Sequence, residues 1–331
     1  MTIGEGRGTM RAYIGVFLGL SLVFGASGSR GEWEMRVHRG LQTTHFRLSE
    51  IDSLTFHDFT GEGMVWIPPG NVRMGQTGIA YVHDIYVEGF YIDVQEVSNR
   101  AYKEFIDAGG YQAESLWNPV GWAWRVANNI THPSCWNDPS YHGGGIPGNE
   151  DFPVLGVSWW EADAHCRWAG KRLPTEAEWE KAAKGGCETH GDPGQCDDSD
   201  TPSYPWGEAI SGPRANYSGS GDPYESNGHS TPVGYYDGSS HEGYQTQDSP
   251  SPYGLYDVAG NVWEWCSTKY ANYPYNPDDG REDPPPIYDE CCRVLRGGSW
   301  DNAPADLRCA FRGYQYPHSQ EGNFGFRCAR N

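Results

Sequence analysis

The sequence is short of positive charge. Lysine and arginine together number 24, against 44 aspartates and glutamates, which gives a formal net charge of −20. A protein of this sign is repelled by phosphate backbones and by anionic lipid surfaces, so the composition argues against nucleic acid or an anionic membrane as a partner. The same excess of carboxylates suits a protein that binds divalent cations.

The sequence also lacks any Cys-x-x-Cys pair, although it contains nine cysteines in 331 residues. Without that metal-binding spacing, so many thiols favour disulfides and a location outside the cytoplasm, either secreted or periplasmic. Cys187 and Cys196 bracket an acidic loop, and their spacing allows a local disulfide. The odd count leaves at least one thiol unpaired within a monomer. The sequence does not fix the pairing of Cys135, Cys266, Cys291, Cys292 and Cys309.

The apolar run near the N-terminus is too short to span a bilayer of about 30 Å as a helix. It covers residues 13–24, follows Arg7 and Arg11, and precedes the small residues 25–29. This pattern predicts a secretory signal peptide over residues 1–29, with an uncleaved anchor as the alternative. After cleavage no membrane span is expected.

Aromatic residues and turn formers are abundant, with 14 Trp, 21 Tyr, 44 Gly and 23 Pro. Such a composition predicts a fold with little regular structure that is held together by aromatic packing and loops. Residues 30–60 alternate like two short strands around Gly40 and predict a small β segment. Residues 61–331 then form the main domain.

Local patterns predict several elements of that domain. Residues 64–75 predict two strands joined by a tight turn at Pro-Pro-Gly, and residues 81–92 predict another strand. Ser98 is a suitable N-cap for a helix, and capping boxes begin two more at Ser158 and Thr175. These two helices are expected to end near Gly170 and Gly185.

Four tryptophans fall between Trp117 and Trp136, a segment that predicts a long loop. A loop of this composition is either a binding surface or packing for an irregular core. We favour packing, because large aromatic side chains contribute most of the buried area in such a fold.

The segment from Ser251 to Trp265 concentrates polar groups and glycines. Asp257, Asn261 and Glu264 offer the hard oxygen ligands that Ca²⁺ prefers. Trp263 and Trp265 alternate with Glu264, so a strand would place both indoles on one face and the carboxylate on the other. The alternative to a calcium loop is a surface turn followed by a core strand.

The same segment carries a family resemblance. Gly254-Leu-Tyr-Asp-Val-Ala-Gly-Asn-Val-Trp-Glu-Trp265 is similar to the signature of the formylglycine-generating enzymes, or sulfatase-modifying factors. Further motifs of that family follow its order: Phe90-Tyr-Ile-Asp-Val-Gln-Glu-Val-Ser98, Pro153-Val-Leu-Gly-Val-Ser-Trp159, Ala169-Gly-Lys-Arg-Leu-Pro-Thr-Glu-Ala-Glu-Trp-Glu180, Tyr204-Pro-Trp-Gly207, Arg296-Gly-Gly-Ser-Trp300 and Gly325-Phe-Arg-Cys328. The resemblance runs from about Met64 to Asn331. It implies a single α+β domain of the formylglycine-generating type, loop-rich and related to C-type lectins.

The resemblance also implies two calcium sites and a disulfide. One site maps to Asn216, the carbonyl of Tyr217, Asp222 and the carbonyl of Tyr224. The other maps to Asp257, the carbonyls of Gly260 and Val262, and the carboxylate of Glu264. The implied disulfide joins Cys166 to Cys328. A second family bridge would use Cys309, but Ala183 stands at its partner position.

The implied catalytic chemistry finds no matching residues. Formylglycine-generating enzymes oxidise a sulfatase cysteine with O₂ and a Cu(I) ion held by two thiolates, a ligand type that suits a soft ion. Both thiols belong between the Gly-Gly-Ser and Arg-Cys-Ala motifs, and residues 300–307 here contain no cysteine. Asn302 occupies the position of the first of these thiols. Ser299 and Trp263 match positions that line the active-site cleft of the family. A Cu(I) site is therefore not expected, unless Cys309 rebuilds one with Cys291 or Cys292.

Several functions remain open. The favoured one is a non-catalytic scaffold that binds a peptide, glycan or protein partner through an aromatic cleft. The main alternative is a formylglycine-generating oxidase that uses an unusual cysteine arrangement. Ergothioneine-type sulfoxide synthases resemble this domain but add a metal-binding helical domain that has no counterpart here. Retroelement-diversified binding proteins share the fold, and one sequence does not show diversification.

Overall fold

The computed structural model describes residues 63–190, 195–225, 229–241, 243–283 and 292–331, together with three strands nearer the N-terminus. The chain divides into two compact units, Met1–Phe56 and His57–Asn331. Within the described residues, no helix combines the length and the apolar character that crossing a membrane requires.

The first unit contains a three-stranded antiparallel sheet. Its strands are β1 (Leu20–Ser27), β2 (Glu32–Arg39) and β3 (Gln42–Arg47), in the order β1-β2-β3. The two strands expected around Gly40 are present as β2 and β3. Strand β1 overlaps the segment expected to be a signal peptide, and removal of residues 1–29 stays a prediction.

The second unit opens with four strands that contribute to two sheets. They are β4 (Met64–Ile67), β5 (Gly70–Gln76), β6 (Ala80–Val87) and β7 (Phe90–Asp93). The strand expected over residues 81–92 is in fact two strands, because β6 pairs with β5 whereas β7 pairs with β4. The break lies at Gly89, where a Cβ atom would come within 2.5 Å of the Trp66 ring. A side chain at this position would therefore displace the Trp66 ring.

The remaining strands are short. They are β8 (Ser240–His241), β9 (Tyr244–Gln245), β10 (Trp263–Lys269), β11 (Arg293–Arg296), β12 (Gly313–Gln315), β13 (Phe324–Gly325) and β14 (Ala329–Arg330). The central sheet has the order β12-β11-β10-β13, and β14 joins β7 and β4 in a second sheet. The C-terminal strand thus pairs with a strand from the start of the domain.

Five helices complete the described part of the unit. They are α1 (Asn99–Asp107), α2 (Pro119–Ala127), α3 (Trp159–Trp168), α4 (Glu176–Lys184) and α5 (Cys187–His190). Ser98 caps α1, and both expected capping boxes are formed, by Ser158 with Glu161 and by Thr175 with Glu178. The starts of these three helices were predictable because the cap and the groups it bonds are neighbours in sequence.

The loop expected between Trp117 and Trp136 contains helix α2, so that prediction was wrong. Asn118 caps the helix by accepting a hydrogen bond from the Gly121 N–H, and Pro119 occupies the first turn. A polar cap followed by proline is a helix start that the aromatic content obscured. Trp117 and Trp136 are buried in the core, which confirms that these indoles serve packing.

Strand β10 lies between the two largest hydrophobic clusters. Trp263 and Trp265 enter the cluster that includes α3, whereas Glu264 points the other way and accepts a hydrogen bond from Trp179 of α4. The expected alternation of indoles and carboxylate is confirmed. All three side chains are buried, so both faces of this strand are core.

Candidate functional site

The segment that corresponds to the family's copper-binding segment is held by hydrogen bonds within itself. Ser299 is fully buried, and both its N–H and its hydroxyl donate to Asn302 Oδ1, at 3.0 and 2.7 Å. Asn323 Nδ2 donates to Ser299 Oγ at 3.1 Å. The Asn302 side chain, at the position of the family's first copper ligand, is therefore engaged in holding the turn. Ser299 has no neighbouring base among these hydrogen-bond partners.

Cys309 does not line a cleft with Ser299, contrary to its selection as a cleft candidate. It is fully buried in the hydrophobic cluster that contains Trp179 and Val294. Burial raises the pKa of its thiol to about 12, and burial likewise raises the pKa of Cys266 well above the usual value. A thiol held protonated is a poor Cu(I) ligand, because the metal binds the thiolate. The described residues around Ser299 and Asn302 therefore do not fit a Cu(I) ion, while Cys291 lies outside the described residues.

Two disulfides are present among the residues that the structure describes. Cys166 in α3 is bonded to Cys328, with Cα atoms 5.8 Å apart, and Cys187 is bonded to Cys196, with Cα atoms 5.0 Å apart. The first closes a separation of 162 residues and ties the C-terminus to α3.

The loop expected to form the first calcium site is held largely by hydrogen bonds between its own residues. Asp222 accepts hydrogen bonds from the Tyr224 N–H at 2.8 Å and from Ser220 Oγ at 2.6 Å. The carbonyl of Tyr217 accepts from the Ser220 N–H at 2.9 Å, and Asn216 Nδ2 donates to the His229 carbonyl at 2.7 Å. Residues 226–228 of this loop lie outside the described residues. Calcium at this position remains a prediction.

The residues expected to form the second calcium site belong to a buried group of charges, which we call the Arg327 cluster: Glu96, Asp257, Glu264 and Arg327. Arg327 forms a bidentate pair with Glu264, with both N–O distances at 2.7 Å. Burial raises the pKa of Asp257 to about 6, although the Gly234 N–H and Arg327 oppose that shift. Burial, together with the charges of Asp257 and Glu264, raises the pKa of Glu96 well above its ordinary value. The cluster holds three carboxylates and one guanidinium.

These residues fit a calcium ion. All the side-chain donors are hard oxygens, and Glu96 Oε1 is a buried carboxylate oxygen without a hydrogen-bond partner among the described residues. Asp257, Glu264 and the carbonyls of Gly260 and Val262 would hold the ion. Calcium would supply charge compensation rather than chemistry at this position.

An aromatic groove is formed by residues other than those expected to line a cleft. It has a volume of about 470 Å³ and is lined by residues 79–81, by Tyr270, Asn272 and Tyr273, and by residues 310–312. Tyr81 is 65% exposed at its rim. The expected wall residue Trp263 lies behind it, packed against Phe311 with ring centroids 6.1 Å apart.

Arg312 fixes the aromatic wall of this groove. Its guanidinium lies 4.0 Å from the ring centroid of Tyr273 and 4.6 Å from that of Tyr270. Its Nη2 donates to Glu176 at 2.9 Å and to the Ala271 carbonyl at 3.0 Å. Both tyrosine rings therefore contact a charge that is itself anchored, which limits their rotation.

Behind Arg312 lies a second buried group of charges, which we call the α4 cluster: Glu176, Glu180, Lys184, Arg296 and Arg312. All four carboxylate oxygens of its glutamates accept hydrogen bonds from the cations, and the single Tyr273 hydroxyl lies within reach of one oxygen of each, at 3.2 and 3.3 Å. Burial alone would raise the pKa of Glu180, but Lys184 and Arg296 outweigh burial and hold it at about 2. The two glutamates of this cluster face three cations, so both carboxylates are compensated within the protein, and the cluster supports the groove.

Comparison with known proteins gives a consistent family. A family model described as "Sulfatase-modifying factor enzyme 1-like domain" matches residues 52–331. The chain is 32% identical over 297 residues to "Inactive C-alpha-formylglycine-generating enzyme 2" of Bos taurus, covering 80% of this chain and 87% of that protein. It is also 32% identical over 308 residues to "Formylglycine-generating enzyme" of Streptomyces coelicolor, covering 81% and 89% respectively.

A third relative is much longer. The chain is 32% identical over 280 residues to "Serine/threonine-protein kinase pkn1" of Chlamydia caviae, which covers 81% of this chain and 38% of that protein. The chain thus spans well under half of this chlamydial relative.

Among solved structures, that of PvdO from Pseudomonas aeruginosa is similar with a TM-score of 0.52 and 21% identity, covering 81% of this chain and 94% of that chain. A likeness at this identity concerns the fold alone. It agrees with the expected loop-rich α+β fold of the formylglycine-generating type. On the family model and the two full-length relatives, the chain belongs to the sulfatase-modifying factor (formylglycine-generating enzyme) family.

Proposed function

We propose that this chain is an extracytoplasmic, calcium-stabilised member of its family that lacks copper-oxidase chemistry and binds a peptide, glycan or protein partner. The aromatic groove beside Tyr81 carries the proposal. It combines exposed and half-buried rings with a polar amide at Asn272, a combination that suits sugar faces and aromatic or apolar peptide side chains.

The anchoring of the groove supports binding rather than packing alone. Because Arg312 and the α4 cluster hold Tyr270 and Tyr273, little side-chain entropy remains to be lost when a ligand binds. Arg312 is paired with Glu176, so the groove offers no free charge from this residue for an ionic ligand. A neutral or amphipathic partner therefore fits best.

The proposed location rests on the cysteines and on the N-terminal segment. Disulfides persist outside the cytoplasm, and the bridge between Cys166 and Cys328 closes a very long loop. Residues 1–29 have the pattern of a secretory signal. Sequencing the N-terminus of protein collected from the periplasm or medium tests both points, and retention of all 29 residues on a cytoplasmic product would overturn them.

The groove is tested by screening the protein against a glycan array and a peptide library, and then repeating each hit with Tyr81→Ala. Loss of one aromatic contact should weaken a groove ligand by roughly tenfold. Tyr86→Ala is the matched control, because Tyr86 is 59% exposed on the same strand but, five residues on, faces the other side. Hits weakened equally by both substitutions, or by neither, would place binding elsewhere.

The oxidase alternative is favoured by one observation, the equal identity to a relative named as an active enzyme. The test mixes Cu(I)-loaded protein with a Cys-x-Pro-x-Arg peptide under air and follows conversion of thiol to aldehyde by mass spectrometry. We expect no turnover, because Asn302 and the buried Cys309 provide no thiolate pair. Turnover would overturn the non-catalytic part of the proposal.

A further inference from the structure

The aromatic groove has two walls that come from distant parts of the chain. One wall is the start of β6, where Tyr81 is 65% exposed, and the other contains Tyr270 and Tyr273, just after β10. Neither Ser299 nor Asn302 lines it. The groove is therefore separate from the segment that corresponds to the family's copper-binding segment.

His83 joins the two walls. Its Nε2 accepts a hydrogen bond from the Tyr275 N–H at 2.8 Å, so its Nδ1 carries the proton and donates to the Tyr81 carbonyl at 3.0 Å. Its ring centroid lies 5.9 Å from that of Tyr81 and 4.8 Å from that of Tyr273. The walls are therefore held together before any ligand binds, and less order has to be gained on binding.

The aromatic surface continues from the groove to the edge of the central sheet. Strand β12 is the last strand at that edge, and its Tyr314 is 55% exposed. The Tyr314 ring lies 4.2 Å from that of Tyr270, measured between centroids. The rings thus form an elongated row from Tyr81 to Tyr314. An exposed row of this kind is typical of an interaction surface for an extended partner.

The backbone acceptors along the second wall are already engaged. The Ala271 carbonyl accepts from Arg312 Nη2 at 3.0 Å. The carbonyls of Asn272 and Pro274 both accept from Arg281 Nη2, at 3.1 and 3.3 Å. A ligand that must donate hydrogen bonds therefore finds few fixed acceptors on this wall.

Donors remain available in the same place. The Asn272 side chain is exposed and makes no hydrogen bond to another described residue, and the same holds for the hydroxyls of Tyr81 and Tyr270. Proline residues suit this arrangement, because each supplies a carbonyl acceptor and has no N–H to satisfy. A sugar ring suits it less well, because each of its hydroxyls is a donor as well as an acceptor.

The charge beside the groove is negative. The guanidinium in the second wall is compensated by its own carboxylate, as described above. The loop over residues 276–283 carries the exposed carboxylates of Asp278 and Asp283, neither of which forms an ion pair with another described residue. Arg281 of this loop bonds the second wall, so the acidic loop lies against the groove. Basic residues beside the apolar part of a partner would complement it, and the net charge of −20 adds long-range attraction.

On these grounds we infer that the groove, with its extension to Tyr314, binds a proline-rich segment in the polyproline II conformation that carries basic residues beside its prolines. Such a segment is extended before binding and exposes its carbonyls, and aromatic-lined grooves are a recurrent way of recognising it. The inference rests on the proposed function and narrows its partner from a peptide, glycan or protein to this one kind of peptide.

The test is isothermal titration calorimetry with an octaproline peptide that has a lysine pair at each end. The control peptide has the same ends and Gly-Ser repeats in place of the prolines. The proline peptide should bind at least about tenfold more tightly, because its conformation is preformed. Exchanging its lysines for glutamates should weaken binding, and this difference should shrink at high salt.

Three variants locate the binding. Tyr81→Ala should weaken the proline peptide roughly tenfold, and Asn272→Ala should weaken it several-fold through loss of a donor. Tyr86→Ala is the matched control and should bind like the unmutated protein. All three side chains are exposed, so each variant should melt at the temperature of the unmutated protein.

A Gly-Ser peptide that binds as tightly, or a proline peptide that binds regardless of Tyr81→Ala, would overturn the inference. Cellohexaose and chitohexaose are titrated in parallel. If a sugar binds in a way that depends on Tyr81 and the proline peptide does not, the inference fails while the groove keeps its proposed binding function. If neither these probes nor the array and library give a ligand that depends on Tyr81, the proposed function of the groove fails as well.

Discussion

The two buried charge clusters of this domain differ in how their charges are compensated. In the α4 cluster, two glutamates face Lys184, Arg296 and Arg312, and every carboxylate oxygen has a donor. In the Arg327 cluster, three carboxylates face one guanidinium, and one oxygen has no partner among the described residues. Trp179 of α4 joins the two by donating to Glu264.

The difference separates a structural role from a binding role. A buried network that is complete within the protein needs nothing further, and its removal should only destabilise the fold. A buried network with surplus charge is incomplete unless something else binds or some groups take up protons. The same substitution, carboxylate to amide, should therefore have opposite effects on stability in the two clusters when calcium is absent.

The largest expected effect is on the α4 cluster. Glu180→Gln leaves Lys184 and Arg296 buried without their counter-ion, and we expect a loss of about 3–5 kcal/mol in the free energy of unfolding. Urea denaturation followed by tryptophan fluorescence measures it. A loss below about 1 kcal/mol would mean that the network is compensated in some other way.

The pH dependence sharpens the same test. The pKa of Glu180 in the folded state is about 2, below the ordinary value of 4.5. Its contribution to stability is therefore fully present above pH 4.5 and is lost as the pH falls toward 2. The stability gap between the unmutated protein and Glu180→Gln should narrow over that window, and a constant gap would contradict the assignment.

The second prediction has the opposite sign. In chelator, Asp257→Asn should leave stability unchanged or raise it by about 1 kcal/mol, because it removes surplus charge and asparagine tolerates a positive φ angle. Asp222→Asn is the comparison, since the Asp222 carboxylate has several donors of its own and gains nothing from neutralisation. Thermal unfolding in chelator measures both. A loss above about 2 kcal/mol for Asp257→Asn would show that its attraction to Arg327 sustains the fold without calcium.

The sequence predicts a contact well when the interacting residues are close together along the chain. The helix caps at Ser98, Ser158 and Thr175 were predictable because each bonds the residue three positions further along the chain. The alternation along β10 was predictable for the same reason. The family motifs extended this reach to the pair Cys166 and Cys328, which are 162 residues apart.

The groove and the contact between Glu96 and Asn261 had no comparable signal. The groove is assembled from residues near 80, 270 and 311, and no local pattern marks them as neighbours. Glu96 meets Asn261 across 165 residues, within a motif that reads as an ordinary strand end. Helix α2 is different. Asn118 followed by Pro119 is a local signal for its start, but the tryptophan content led to the prediction of a loop.

The smallest expected effect comes from an ion pair that belongs to neither cluster. Lys103 and Asp107 lie four residues apart on α1, with an N–O distance of 2.6 Å and side chains 54% and 61% exposed. Water screens such a pair and the long lysine side chain loses entropy in forming it, so Lys103→Gln should cost no more than about 0.5 kcal/mol. Urea denaturation at low and at high salt measures the change, which should vanish at high salt. A loss comparable to that of Glu180→Gln would show that burial is not what distinguishes the α4 cluster, and the contrast between compensated and uncompensated buried carboxylates would then need another cause.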